Sequence, residues 1–291
     1  MKSLKDSHPI VSLIYFIALI GFSMVFMHPL CIAISLLGGL SYSIILKGKR
    51  AVILSLFMLL PLFVLTAVLN PVFNHAGVTV LTYLPSGNPL TLESLLYGLC
   101  SAGMLVSVVC HFSCLSEVMT GEKFLEVLGR ISPSSALVVS MTFRFVPLFA
   151  REIRLVAEAQ KGIGRGMDGN IIKKIKSGVK TLSIMITKSL ENALESAQSM
   201  KSRGYGSGRR SSFSNFRFDA RDGTTLGAVL LLSTIVLIGA IFGESAAVFF
   251  PKIKISNLNC ENAEFFAAYL ILSFLPIMIE IKEVWRWRKS R

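Results

Sequence analysis

No G-x-x-x-x-G-K-[ST] segment occurs anywhere in the 291 residues. The chain therefore has no phosphate loop, and a nucleotide that drives it must bind to another chain. Charge is scarce: Asp, Glu, Lys and Arg make up 16% of the chain, where a soluble domain carries about a quarter. No Ser/His/Asp set, His-Glu-x-x-His run or paired-carboxylate site stands out, which removes the common routes to catalysis. Cys31, Cys100, Cys110, Cys114 and Cys260 lie mostly inside apolar runs and form no secreted disulfide framework. No small-residue cleavage site follows the first apolar run, so that run reads as a retained span rather than a signal peptide.

Apolar sequence is what the chain has in abundance: 53% of residues are hydrophobic and the mean hydropathy is +0.64. The class is an integral membrane protein, all-α. Six stretches approach the roughly 20 residues a spanning helix needs: 9–27, 30–46, 51–69, 92–114, 226–242 and 263–281. His28-Pro29 and Lys47-Gly48-Lys49-Arg50 separate the first three. The polar region from Asn70 to Thr91 reads as a loop with a hairpin, since 78–84 is β-prone and Pro85-Ser86-Gly87-Asn88-Pro89 is a turn. Thr91 followed by Glu93 then reads as a helix start.

The formal net charge of +13 would fit nucleic acid, but its placement fits a membrane better and no nucleic-acid partner is expected. With six spans and the N-terminus inside, all but two (Lys252 and Lys254) of the 30 basic residues face the cytoplasm, as the positive-inside rule requires. The chain then divides into 1–115, four spans; 116–225, a basic cytoplasmic helical arm; and 226–291, two spans and a basic tail. An apolar run at 136–150 inside the arm reads as a helix on the inner face, with Ser132-Pro133 as its start. Its residues reach only about 22 Å, short of the roughly 30 Å core. Arg144 near its middle would add about 2.5–3.5 kcal/mol to insertion.

Thr120-Gly121-Glu122 can start a short helix. From Ile175 an apolar series through Val179, Leu182, Ile186, Leu190, Ala193, Ala197 and Met200 keeps helical spacing. A helix over 174–202 would be roughly 43 Å long. It ends at Arg203, before Gly204-Tyr205-Gly206, and a Gly/Ser/Arg linker follows over 207–215. A cation at a helix end has a plain explanation, worth about 0.3–1 kcal/mol against the macrodipole. However, Arg165 stands in a second small-residue frame, Gly164-Arg165-Gly166. Small neighbours let a guanidinium enter an acidic groove and make bidentate carboxylate bonds. Two such ends on one arm look like paired plugs. The glycines around Arg165 follow no strand, so they are not a phosphate cradle. Cys110, His111 and Cys114 close the fourth span as buried thiols and a capping His, with no second ligand pair for a metal. Neither a metal nor a cofactor is expected.

The chain resembles the transmembrane T component of energy-coupling-factor (ECF) transporters, the family that includes the cobalt-transport Q-type membrane subunits. The resemblance runs over nearly the whole chain. It is carried by Asn70-Pro71-Val72-Phe73 with Gly77, by Thr91-Leu92-Glu93-Ser94 with Gly98, and by Met141-Thr142-Phe143-Arg144-Phe145-Val146-Pro147. Its most specific parts are Glu158-Ala159-Gln160-Lys161 and Ser199-Met200-Lys201-Ser202-Arg203-Gly204-Tyr205-Gly206. The family's second Ala-Arg-Gly signature appears with Ser202 in the alanine position. At the first, Gly162-Ile163-Gly164 stands where Ala-Arg-Gly would, and Arg165-Gly166 follows two residues later.

The resemblance implies a non-catalytic subunit in the cell membrane of a prokaryote, with both termini cytoplasmic. Two ABC-type ATPase subunits would receive Arg203 and Arg165. A small membrane substrate-binding (S) component would pack on the arm through Leu182, Ile186, Leu190, Ala193, Ala197 and Met200. Uptake of vitamins or transition-metal ions would follow from toppling of that component. A self-contained secondary transporter is the alternative, but the discontinuous helices and midplane polar groups it needs are not seen in related halves of the chain.

Overall fold

The computed structural model describes residues 4–83, 89–163, 171–208, 216–245, 247–251, 253–255 and 260–289. The helices are α1 Pro9–Val25, α2 Pro29–Lys47, α3 Lys49–Leu54, α4 Leu60–Phe73, α5 Leu92–Val118, α6 Gly121–Ile131, α7 Pro133–Gly162, α8 Ile171–Ser202, α9 Ala220–Ile241 and α10 Cys260–Lys289. A π-helical turn, Ser55–Leu59, joins α3 to α4. Among the described residues there are also two antiparallel strand pairs, β1 Val80–Tyr83 with β2 Pro89–Thr91 and β3 Ala247–Val248 with β4 Lys254–Ile255; residues 85–88 of the expected turn lie outside the described residues. The chain forms two compact units, Met1–Phe124 with Phe216–Arg291, and Leu125–Asn215.

In the first unit the helix starts follow from local chemistry. His8 and His28 each accept a backbone N–H through Nδ1, from Ile10 and Leu30, and each is followed by a proline at the first helical position. Thr91 caps α5 by accepting from Ser94 N at 3.3 Å. Gly48, at φ +56°, lets the chain leave α2 and enter α3 at once. Asp219 and Asp222 form a capping box at the start of α9. The core is built from Tyr15, Phe16 and Leu19 of α1, Phe265, Tyr269 and Leu272 of α10, Val229 and Val236 of α9, and Cys114 and Val118 of α5. Helix α5 packs against α1, α2 and α4. Close approach needs Gly98, where an added Cβ would sit 2.9 Å from the Ala67 carbonyl.

Six described helical segments are long and apolar enough to cross a membrane: α2, Lys49–Phe73, α5, α7, α9 and Asn262–Lys282 of α10. Two points differ from the sequence reading. Helix α1 has 17 residues and falls just short of that length. Helix α7 does start at Ser132-Pro133, with Ser132 Oγ accepting from Ser135 N, but it runs for 30 residues through Pro147 to Gly162. At about 45 Å its length is no argument against a crossing; Arg144 and the charge distribution remain as the arguments. The apolar run stops near Ala150, yet charged residues continue the helix because their propensities are good.

Candidate functional site

The second unit holds half of the 30 Lys and Arg residues but only about a third of the 17 Asp and Glu. Its main elements are α7 and α8, which pack against each other. Helix α8 starts three residues earlier than the spacing predicts and runs 32 residues, about 48 Å. Lys188 of α8 meets Glu152 of α7 at 3.1 Å.

The C-terminal end of α8 is fixed by its backbone. Gly204 has φ +74°, the left-handed conformation that closes a helix. Its N–H donates to Lys201 O at 3.0 Å, and Tyr205 N–H donates to Met200 O at 3.0 Å. This is the Schellman arrangement, and it satisfies two of the carbonyls a helix end leaves open. Ser207 N–H and Oγ both donate to Gly204 O, at 3.2 and 2.6 Å, so the turn is tied a second time. Ser202 Oγ donates to Ser199 O at 2.9 Å. Arg203, between these fixed points, is exposed and has no ion-pair partner among the described residues. The result is an exposed guanidinium at the end of a 32-residue helix whose backbone terminus is fixed, with five donors available to a planar anion.

Ser202, Arg203 and Gly204 stand together at this helix end. Gly164, Arg165 and Gly166 lie outside the described residues.

The faces of α8 separate cleanly. Thr181 and Met185 are buried, and Ser189, Asn192 and Ser196 continue that side as half-buried positions. The apolar series lies about 95° round the axis, at about 100° per residue. Leu182, Ile186 and Leu190 are 58%, 54% and 61% exposed; Ala193 and Ala197 are exposed and Met200 is half-buried. The described partner of α8 therefore meets Met185 within a stripe of otherwise small or polar side chains, and the apolar stripe is uncovered. Leu194, Ile171 and Ile172 extend that uncovered surface; they were missed because strict spacing from Ile175 skips them.

One other group differs from the sequence reading. Helix α5 continues to Val118, so Cys110, His111 and Cys114 lie within it, and His111 caps no helix. Instead its Nε2 bonds Ser35 Oγ at 2.9 Å, and Ser35 bonds Ser23 at 2.7 Å. Tyr269 completes a buried chain across α1, α2, α5 and α10. Glu93, which the sequence marks only as part of a helix start, is buried and accepts from Thr79 N and Thr79 Oγ1, which anchors the loop beside Gly77. Among the described residues no group of three or more His, Cys, Asp or Glu could hold a metal ion.

Comparison with known proteins places this geometry in context. The family model described as CbiQ, cobalt transport protein, matches residues 2–213. The chain is similar to the energy-coupling factor transporter transmembrane protein EcfT of Lactococcus lactis subsp. cremoris, at 30% identity over 106 residues, 35% of this chain and 39% of that protein. The EcfT of Bacillus selenitireducens is 27% identical over 188 residues, 60% of this chain and 69% of its own length. That of Lactobacillus helveticus is 34% identical over 105 residues, 35% and 38% respectively. The match therefore spans about two fifths of the Lactococcus and Lactobacillus relatives and a little over two thirds of the Bacillus one.

Proposed function

The chain belongs to the CbiQ cobalt transport protein family, and from that premise we propose that it is the energy-coupling membrane subunit of an ECF-type importer of vitamins or transition-metal ions. The observation that carries the proposal is the end of α8, where an exposed Arg203 sits on a doubly tied helix terminus. A stiff rod transmits displacement, and a guanidinium at its tip can enter an acidic groove and hold a carboxylate bidentately. A lysine there would be a point charge on a flexible stem. Two cytoplasmic ATPase subunits would supply such grooves, one for Arg203 and the other for Arg165. Hydrolysis would take place in those partners, and this chain would do no chemistry.

The second half of the coupling is the apolar stripe of α8. Leu182, Ile186 and Leu190, with Ala193, Ala197 and Met200, form a surface that the described arm leaves uncovered. Contiguous apolar surface of that kind marks an interaction site, and we assign it to the small membrane substrate-binding S component. In this reading 1–115 and 226–291 are the membrane regions and 116–225 is the lever, with both termini cytoplasmic in the cell membrane of a prokaryote.

Arg203→Glu tests the assignment. Truncating or reversing one partner of a buried charge pair costs about 2–5 kcal/mol, so co-purification of the ATPase subunits should be lost while membrane insertion is unchanged. Full assembly in that variant would remove the docking role from Arg203.

A further inference from the structure

We propose that the groove between α4 and α5 is a binding site for one acyl chain of a membrane phospholipid. The groove lies wholly within the first unit and has a volume of about 610 Å³, inside the about 300–1,000 Å³ range usual for small-ligand pockets. Its walls follow the helical repeat. Leu69 and Phe73 line it from α4, Met104, Leu105 and Val108 line it from α5, and Met24 at the end of α1 closes a third side. The two helices touch at Gly98, where an added Cβ would come within 2.9 Å of the Ala67 carbonyl and 3.1 Å of Pro71 Cδ. One turn further along α5, at Ser101, the lined space begins.

The wall chemistry selects the occupant. Each polar side chain on it is already bonded within the protein. Asn70 Nδ2 donates to Ser101 Oγ at 3.1 Å, and Ser101 Oγ donates to Gly98 O. Thr66 Oγ1 donates to Leu62 O, and Asn74 Oδ1 accepts from Ala76 N. What remains for a polar group is Asn70 Oδ1 and Asn74 Nδ2, both at the loop end of α4, whereas Met24 and Phe73 stand 58% and 78% exposed.

Both helices belong to segments long and apolar enough to cross a membrane. At that depth the apolar molecule in excess is the lipid tail. The groove is also graded: Asn70 and Asn74 sit at the loop end of α4, and Val108 and Val109 lie two turns into α5 beyond Ser101. A tail with its ester end beside Asn74 and its methyl end along Val108 matches that gradient. This inference needs the membrane setting but not the coupling role, so either can fail alone.

The test uses the full chain in phosphatidylethanolamine and phosphatidylglycerol vesicles that carry a phospholipid with a diazirine on its palmitoyl chain. After photolysis, peptides 69–74 and 104–109 should be labelled about fivefold more than 52–58, since a bound tail dwells where a passing one does not. Residues 52–58 are the control because Val52, Ile53, Phe57 and Met58 of the same span are also exposed. Val108→Trp should abolish the excess and leave 52–58 unchanged; Leu105→Phe serves the same purpose if the tryptophan variant misfolds. Equal labelling of all three peptides, or an excess that survives both groove-filling variants, would overturn the site. Labelling by free diazirine palmitate but not by the phospholipid would overturn the choice of lipid.

Discussion

Gly204 holds its backbone at φ +74°, where a Cβ costs about 1–2 kcal/mol, and the Schellman bonds to Lys201 and Met200 depend on that conformation. Gly204→Ala should therefore loosen the tip of α8 by roughly 1 kcal/mol, seen as about fivefold faster amide exchange at Tyr205. Exchange in the middle of the helix should not change. The position was legible because Arg203-Gly204-Tyr205-Gly206 carries the ordinary stop signal of a helix: a cation in the last turn, then glycine. Glu93 and His111 were not legible in the same way. Each is explained by a residue remote in sequence, Thr79 for the first and Ser35 for the second. Local spacing has no access to such pairs, so a buried carboxylate looks like a surface one and an interior histidine looks like a cap.

On α8 the two stripes make opposite predictions from adjacent residues. Met185 is 4% exposed and Ile186 is 54% exposed. Truncating a buried methionine costs about 2–5 kcal/mol, so Met185→Ala should speed exchange along α8 and weaken its packing. Ile186→Asp should leave exchange in α8 unchanged and remove co-purification of the membrane partner. If Ile186→Asp also unfolds the arm, the apolar stripe is packed rather than free and the docking assignment fails. Helical period was enough to find the apolar stripe, but not to say which stripe meets α7. That choice depends on how closely two helices can approach, and small side chains such as Ser189 and Ser196 decide it. Helix α7 shows the complementary limit. Its apolar run ends near Ala150, but its hydrogen-bonded ladder continues to Gly162, since burial pattern and helix length are separate quantities.

The first unit is discontinuous in sequence, made of Met1–Phe124 and Phe216–Arg291, and a charged cluster brings its pieces together. Asp222 of α9 accepts from His8 N at 3.3 Å and from Asp219 N at 3.2 Å. Lys123 of α6 is buried near Asp6 and Asp222, and its Nζ makes no hydrogen bond among the described residues. Residues 6, 123 and 222 are too far apart in the chain for their meeting to be read from the sequence, although each lies beside a helix start that was. Desolvation lowers the pKa of Lys123 below its usual value, and attraction to Asp6 and Asp222 offsets only part of that. The sign follows directly. A lysine with a depressed folded-state pKa leaves the unfolded chain holding more protons on the alkaline side of neutrality, below about 10.5, so stability rises with pH across that window. Thermal melts in detergent between about pH 8 and pH 10 should show this rise in the native chain. The rise should be absent in Lys123→Met, which should be at least as stable as the native chain at neutral pH, since an apolar side chain needs no solvation there. A Lys123→Met variant that melts well below the native chain at neutral pH would mean that attraction to the two aspartates outweighs burial. Lys123 would then be an ionic tie between α6 and the starts of α1 and α9 within the first unit.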